Sequence, residues 1–214
     1  VKAALKSNPA EELIVQGFGI SIKRRDISTL KGLNWLNDEV INFYMNLLME
    51  RAKENPHLPK VYAFNTFFYP KLVKQGHSSL RRWTRKVDIF SHDLIVVPVH
   101  LQMHWCMAII DLKERSIKYY DSMGHPNDTC LKALLTYLVE EYKDKKNGEY
   151  DINGWTLENV KDLPQQNNGS DCGVFACTFA EYACRRASFT FSQKEMTYFR
   201  EKMVYEIVSS CLMS

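Results

Sequence analysis

No stretch of this 214-residue chain approaches the roughly 18 consecutive apolar residues that a membrane-spanning helix requires. The opening Val1-Lys-Ala-Ala-Leu-Lys has no long apolar core of the kind a secretory signal carries. A soluble protein that is not secreted, with no membrane partner, is therefore expected. Six cysteines are too few for a disulfide scaffold at this length, and none shows CxxC or Cys/His ligand spacing. Reduced thiols, no metal and no cofactor are expected. Two glycosylation sequons begin at Asn127 and Asn168, but such triplets arise by chance. Charge of one sign is also scarce: the net value is +3, too small to imply nucleic acid. The basic runs Lys23-Arg-Arg25 and Arg81 to Lys86 read as solvated faces. Internal repeats and low-complexity tracts are missing too.

What is present is enough for one well-buried core, since 45% of the residues are hydrophobic. A single domain over residues 1–214 is expected, with residues 1–12 as an arm or short helix, in a chain that looks cut from something longer. Ile20-Ser-Ile-Lys is a candidate strand, and Asp26 or Ser28 a candidate cap for the turn after it. Asn37 or Asp38 caps an apolar-periodic helix running to about Arg51, with Val40, Ile41, Phe43, Tyr44, Leu47 and Leu48 as its buried stripe. Residues 94–100, 104–111 and 116–123 read as three strands, the last two a hairpin about Leu112 to Arg115. Residues 126–142 read as a helix, followed by a mobile charged turn from Lys143 to Gly148. Ser192 caps a last helix to about Ser209, whose Met196, Phe199, Met203 and Ile207 recur at helical spacing.

The most informative residue is Cys172. It stands where the polar segment Pro164-Gln-Gln-Asn-Asn-Gly-Ser-Asp171 turns into an apolar helical stretch. Unpaired N–H groups and the positive end of a helix dipole then point at its sulfur, an arrangement that favours a thiolate nucleophile. Cys177 and Cys184 lie deeper in that stretch and read as ordinary core. A nucleophile needs a base, and the hairpin supplies one. Folding it about its centre puts His104 and Asp121 opposite each other or within one pair, on a shared face. A carboxylate on one imidazole nitrogen fixes the tautomer and leaves the other free to take a thiol proton.

At these residues the sequence resembles the SUMO-specific (sentrin-specific, ubiquitin-like-protein-specific) cysteine protease family. The resemblance is carried by Leu33-Asn-Trp-Leu-Asn-Asp-Glu39, Asn65-Thr-Phe-Phe68, Arg82-Trp-Thr84, Val97 to Trp105, Tyr120-Asp-Ser-Met-Gly124 and Pro164 to Gly173. It implies a papain-like α+β fold in which a central mixed sheet is flanked by helices and the nucleophile sits at a helix N-terminus. It implies a triad of Cys172, His104 and Asp121, with Gln166 in the oxyanion hole. By the same resemblance Trp35 and Trp105 roof a tunnel for a Gly-Gly tail, while Asp38, Phe67, Arg82 and His100 touch the globular part of the modifier. The residues alone favour a blander reading for several of these: Trp35, Trp105 and Phe67 as core, His100 as the end of a strand, Gln166 as a loop residue.

The implied activity is hydrolysis after the C-terminal Gly-Gly of SUMO, in precursors or in conjugates on substrate lysines. The resemblance implies a monomer located in the nucleus, including its envelope or pores, and in the cytoplasm, with SUMO precursors and SUMO conjugates as partners and no nucleic acid. Three alternatives remain at this stage. They are an enzyme of the same fold acting on NEDD8 or ubiquitin, or transferring acetyl groups; a catalytically silent module that only binds the modifier; and a nucleic-acid binder using the basic runs.

Overall fold

A computed structural model describes residues 1–213. Its frame is a five-stranded sheet in the order β3-β4-β5-β6-β7, formed by Val61–Ala63, Leu94–His100, Trp105–Asp111, Ser116–Tyr120 and Thr156–Asn159. The two outer pairings are parallel and the two inner ones antiparallel, so the sheet is mixed, as expected. A separate antiparallel ribbon, β1 (Leu13–Gly17) and β2 (Ile20–Lys23), precedes it. The helices are α1 (Arg24–Ile27), α2 (Asp38–Glu54), α3 (Phe68–Gln75), α4 (Asp128–Lys146), α5 (Cys172–Cys184) and α6 (Met196–Ser209).

Alternation along the strands builds two cores from one sheet. In β4 and β5, Val96, Met107 and Ile109 join the cluster supplied by α2, α5 and α6. Their neighbours Ile95, Val97, Val99, Cys106, Ala108 and Ile110 join the one supplied by α3 and α4. A strand buried on both faces reads as a continuous apolar run, which is why Leu94-Ile-Val-Val-Pro-Val shows no period of two. Pro98 is tolerated inside it because β3 pairs only with Leu94, Ile95 and Val96, leaving β4 unpaired on that side from there on.

The helix boundaries follow their caps. Asn37 accepts from the Val40 amide at 3.1 Å and starts α2, and all six residues of the expected stripe are buried. Ser192, with Glu195 in a reciprocal capping box, starts a short 3₁₀ turn that runs into α6. Met196, Phe199, Met203 and Ile207 are buried as their spacing requires.

Of the two alternatives for residues 1–12 the structure has the arm, made of turns; Arg24 holds it by donating to the Ala3 and Ala4 carbonyls and pairing with Glu12. Asp26 closes the first turn of α1 by accepting from the Lys23 amide at the N-cap, whereas Ser28 donates back to the Arg25 carbonyl. Asp26 also accepts from Asn37 Nδ2, joining β2 to the start of α2. Two expectations need correction. The supposed charged turn after Tyr142 is the last turn of α4, which continues to Lys146 and stops at Asn147 in a left-handed conformation. Lys145 and Lys146 hold it there through Glu141 and Asp88. The α4 start also moves, from Pro126 to Asp128, because Asn127 is the cap.

In the basic run at residues 23–25 only Arg24 is buried, pairing with Glu12, while Lys23 and Arg25 pair with Glu11 on the surface. No described helix is long and apolar enough to cross a membrane.

Candidate active site

The site forms where the open end of the β5–β6 hairpin meets the N-terminus of α5. The observed register pairs Met107 with Tyr120. One step further along that register sets Cys106 against Asp121, with His104 the next residue on the same face. His104 and Asp121 both lie just outside the regular strands, which frees their side chains to meet: Nε2 of His104 is 2.6 Å from Oδ1 of Asp121. That contact leaves Nδ1 as the nitrogen available to a thiol. The Cys106 sulfur lies within 4.8 Å of the imidazole, and both Cys106 and Cys172 help to raise its pKa.

Asp121 is almost fully buried and held by a turn built around it. Its Oδ1 accepts from the Met123 amide at 2.8 Å, its Oδ2 from the His125 amide at 3.2 Å, and its carbonyl from the Gly124 amide at 2.9 Å. Gly124 closes that turn at φ +79°, where a side chain would be strained. Burial pushes the Asp121 carboxyl up, but the hydrogen bonds from His104 and the two amides outweigh it and hold the group below its ordinary value. The counterpart is an imidazole raised well above its ordinary value, first by Asp121, then by the sulfurs of Cys106 and Cys172, against the opposing effect of burial. At neutral pH the ring therefore already holds its proton, as a general acid for a leaving amine requires. By linkage, this raised group stabilises the fold fully below its unfolded value of about 6.5 and loses that contribution as pH rises through the folded value.

Cys172 is the first residue of α5 and is buried. Asp171 occupies the N-cap position, yet its side chain makes no cap hydrogen bond, so no side chain covers the first-turn amides. Its carboxylate points elsewhere: Oδ1 accepts from Arg200 Nε at 2.8 Å and forms an ion pair with Nη2 at 2.7 Å, and Oδ2 accepts from Asn168 Nδ2 and Gln193 Nε2 at 2.7 and 2.8 Å. Asn168 Oδ1 in turn accepts from the Ser170 and Asp171 amides. A glycan on Asn168 would break this lattice. Gly173 follows because a Cβ there would lie 3.0 Å from the Leu36 Cβ and 3.3 Å from Trp105 Cδ1.

The Asp171–Arg200 pair carries a stability prediction. Burial raises the Asp171 carboxyl, but its bonds to Asn168, Gln193 and Arg200 bring it below its ordinary value. Such a group stabilises the fold above its unfolded value of about 3.9 and loses that as pH falls through the folded one. Arg200→Met should cost on the order of 3–5 kcal/mol, since it strands a buried carboxylate. In pH-resolved thermal melts the deficit should be largest above about pH 3.9 and shrink as pH falls, because a protonated Asp171 no longer needs the guanidinium. A variant as stable as wild type at every pH would contradict this.

The remaining expected residues are distributed as follows. Trp105 starts β5 in the core that contains Cys172, donates from Nε1 to the Leu36 carbonyl at 3.1 Å, and stacks on His100 with ring centroids 4.1 Å apart. Trp35 precedes Leu36 and is 42% exposed, so the blander reading of it as core fails. Because Leu36 touches both Trp105 and the start of α5, it ties the Trp35 loop to the nucleophile. Asp38 opens α2. Phe67 is 54% exposed, whereas Phe64 and Phe68 on either side stack in the core. Arg82 is exposed, and Trp83 beside it packs toward Phe68, as the ordinary reading of that tryptophan has it. Gln166 is half-buried, with Nε2 donating to the Asn168 carbonyl at 2.6 Å and Oε1 accepting from Ser122.

Two clusters bear on metal binding. His104, Cys106 and Asp121 lie close together, but the direct imidazole–carboxylate hydrogen bond occupies the position an ion would need. In the group of His77, Glu141 and Asp144, the Lys145 ammonium already lies 3.1 Å from Glu141 and 3.5 Å from Asp144.

Residues 34–212 match the model of the Ulp1 protease family, C-terminal catalytic domain. The chain belongs to that family. It is 52% identical to a sentrin-specific protease of Caenorhabditis elegans over 97% of its own length and 30% of that protein's. With human sentrin-specific protease 2 it shares 45% identity over its whole length, which is 36% of that protein. The chain thus spans about a third of the length of these relatives. Its fold matches the C-terminal Ulp1 protease domain solved in complex with Smt3, the yeast ortholog of SUMO, at a TM-score of 0.85 and 33% identity, covering 97% of this chain and 91% of that one. The papain-like α+β architecture of this Ulp1 family member is the one expected.

Proposed function

We propose that this chain is the catalytic part of a SUMO-specific cysteine protease, acting on precursors and on isopeptide conjugates. The observation that carries the reading is the Asp121–His104 pair beside a thiol at the uncapped start of α5. The family match and the complex of a similar domain with Smt3 support the choice of substrate.

In this reading the Cys172 thiolate attacks the carbonyl carbon of the terminal glycine, and the oxyanion is met by the Cys172 N–H and by Gln166 Nε2. His104 delivers its proton to the leaving amine, so the C–N bond breaks and a thioester forms. The neutral imidazole then takes a proton from water, which attacks the thioester and releases the glycine carboxylate and Cys172. Asp121 keeps the ring oriented throughout. Trp35 and Trp105 confine the Gly-Gly tail, and Asp38, Phe67, Arg82 and His100 dock the globular modifier. The reading includes a nuclear location, tested by imaging the tagged full-length protein, and a monomeric state.

Confinement has a measurable consequence. A tail carrying a methyl group between packed tryptophans meets an overpacking penalty of roughly 1–3 kcal/mol, so Gly-Ala or Ala-Gly precursors should lose about tenfold or more in kcat/KM. Trp105→Ala should lower activity on Gly-Gly and shrink the penalty for alanine. Because Trp105 is buried and hydrogen-bonded, exposed Trp35 offers the cleaner variant, and Trp35→Ala should act in the same direction with less loss of stability. Equal wild-type rates on both tails would refute the tunnel.

A further inference from the structure

The Gln166 amide is oriented by groups on both of its sides. Its Nε2 donates to the Asn168 carbonyl at 2.6 Å. A carbonyl only accepts, so the NH₂ end must face Asn168 and Oε1 must face Ser122. The Ser122 hydroxyl consequently has to donate, and it does so to Oε1. Ser122 is 1% exposed and follows Asp121 directly, and its own carbonyl accepts from the Gln166 amide at 3.1 Å. An NH₂ group has two hydrogens. With one spent on Asn168, the second is left in a direction set by the planar amide, which Ser122 clamps from the opposite end.

We propose that Ser122 is a positioning residue for the reaction: its buried hydroxyl fixes the Gln166 amide so that the free Nε2 hydrogen points at the developing oxyanion. The same short turn then fixes two parts of the machinery, the carboxylate that orients His104 and the hydroxyl that orients the oxyanion donor. Without the hydroxyl, the amide rotates about its last torsion, which is broad and weakly held, and the donor is aligned for only part of the time. Since the oxyanion exists only in the transition state, the loss appears in kcat and not in KM. This inference rests on the proposed oxyanion role of Gln166.

The test is steady-state kinetics on a SUMO precursor, run in parallel on a p-nitrophenyl ester of Gly-Gly, which an oxyanion hole at Cys172 accelerates whatever modifier the protein takes. Ser122→Ala should lower kcat about tenfold with KM unchanged, the size expected for one hydrogen bond that aligns another group. In the Gln166→Ala background, Ser122→Ala should have no further effect, because its target is gone. Ser122→Thr and Ser122→Val share a shape and differ in the hydroxyl, so Thr should turn over faster than Val by a similar factor. The proposal is overturned if Ser122→Ala keeps its kcat, if the two losses multiply, or if Val equals Thr. Wild-type activity on the ester without any on SUMO would instead count against the substrate, and the Ser122 comparison would still be decided on the ester.

Discussion

Cys172→Ser should abolish turnover while leaving modifier binding intact. The substitution changes one atom at the first position of α5, so Trp35, Trp105 and the other side chains proposed to hold the modifier stay where they are. What changes is ionisation: a hydroxyl beside the same imidazole is far harder to deprotonate than a thiol, and the attacking anion disappears. Other thiols offer no rescue. Burial pushes the thiols of Cys106, Cys130, Cys177 and Cys184 up, away from the reactive form. Titration calorimetry with SUMO and a gel-based cleavage assay check both halves of the expectation. Retained cleavage would move the nucleophile, with Cys106 the first to try because its sulfur lies within 4.8 Å of the His104 imidazole.

Asp121→Asn and Gln166→Ala should each reduce kcat far more than they weaken binding. Asparagine can still accept from Nε2, but it replaces the carboxylate whose hydrogen bond contributes most to raising the imidazole by a weaker, neutral acceptor. The ring then releases its proton nearer its ordinary value, and the general acid is present over a narrower pH range. The loss in kcat should be on the order of 10² to 10⁴, the usual span for a disabled acid–base group. The alkaline limb of the kcat profile should move to lower pH. Gln166→Ala removes one oxyanion donor, which should cost on the order of 10² to 10³ in kcat without any such movement. The contrast separates the two roles: a Gln166→Ala variant that raised only KM would remove that residue from the oxyanion hole, and an Asp121→Asn variant with an unmoved pH profile would leave the imidazole charge to some other cause.

Much of this arrangement could be read from local pattern. Asn37, Ser192 and the apolar stripes of α2 and α6 mark their helices within a few residues, and the hairpin about Leu112 to Arg115 brings His104 to Asp121 by register alone. What escaped depends on contacts between distant segments. The short strands β3 and β7 are recruited by pairing with β4 and β6, and three or four residues carry too little period to show it. The short β1, with partly exposed residues, is defined by β2 in the same way.

The groups that support the site were hidden for a similar reason. Arg200 acts on Asp171 across 29 residues and from a different helix, and on its own reads as one more surface arginine. Ser122 and Gln166 are 44 apart. Leu36 and Gly173 matter because their atoms meet near Trp105, something no spacing encodes. Lys143 to Lys146 looked like a turn through their charge, and became helix because Asp88, Asp144 and Glu141 give those ammonium groups partners.

The most direct test of the whole account uses modifiers ending in Gly-vinyl sulfone, incubated with the wild-type chain and with Cys172→Ser and followed by mass spectrometry of the adduct. The account predicts one covalent adduct with the SUMO probe, mapped to Cys172, absent in Cys172→Ser, with NEDD8 and ubiquitin probes unreactive. An adduct formed only with NEDD8 or ubiquitin, or one on another cysteine that survives Cys172→Ser, would contradict it.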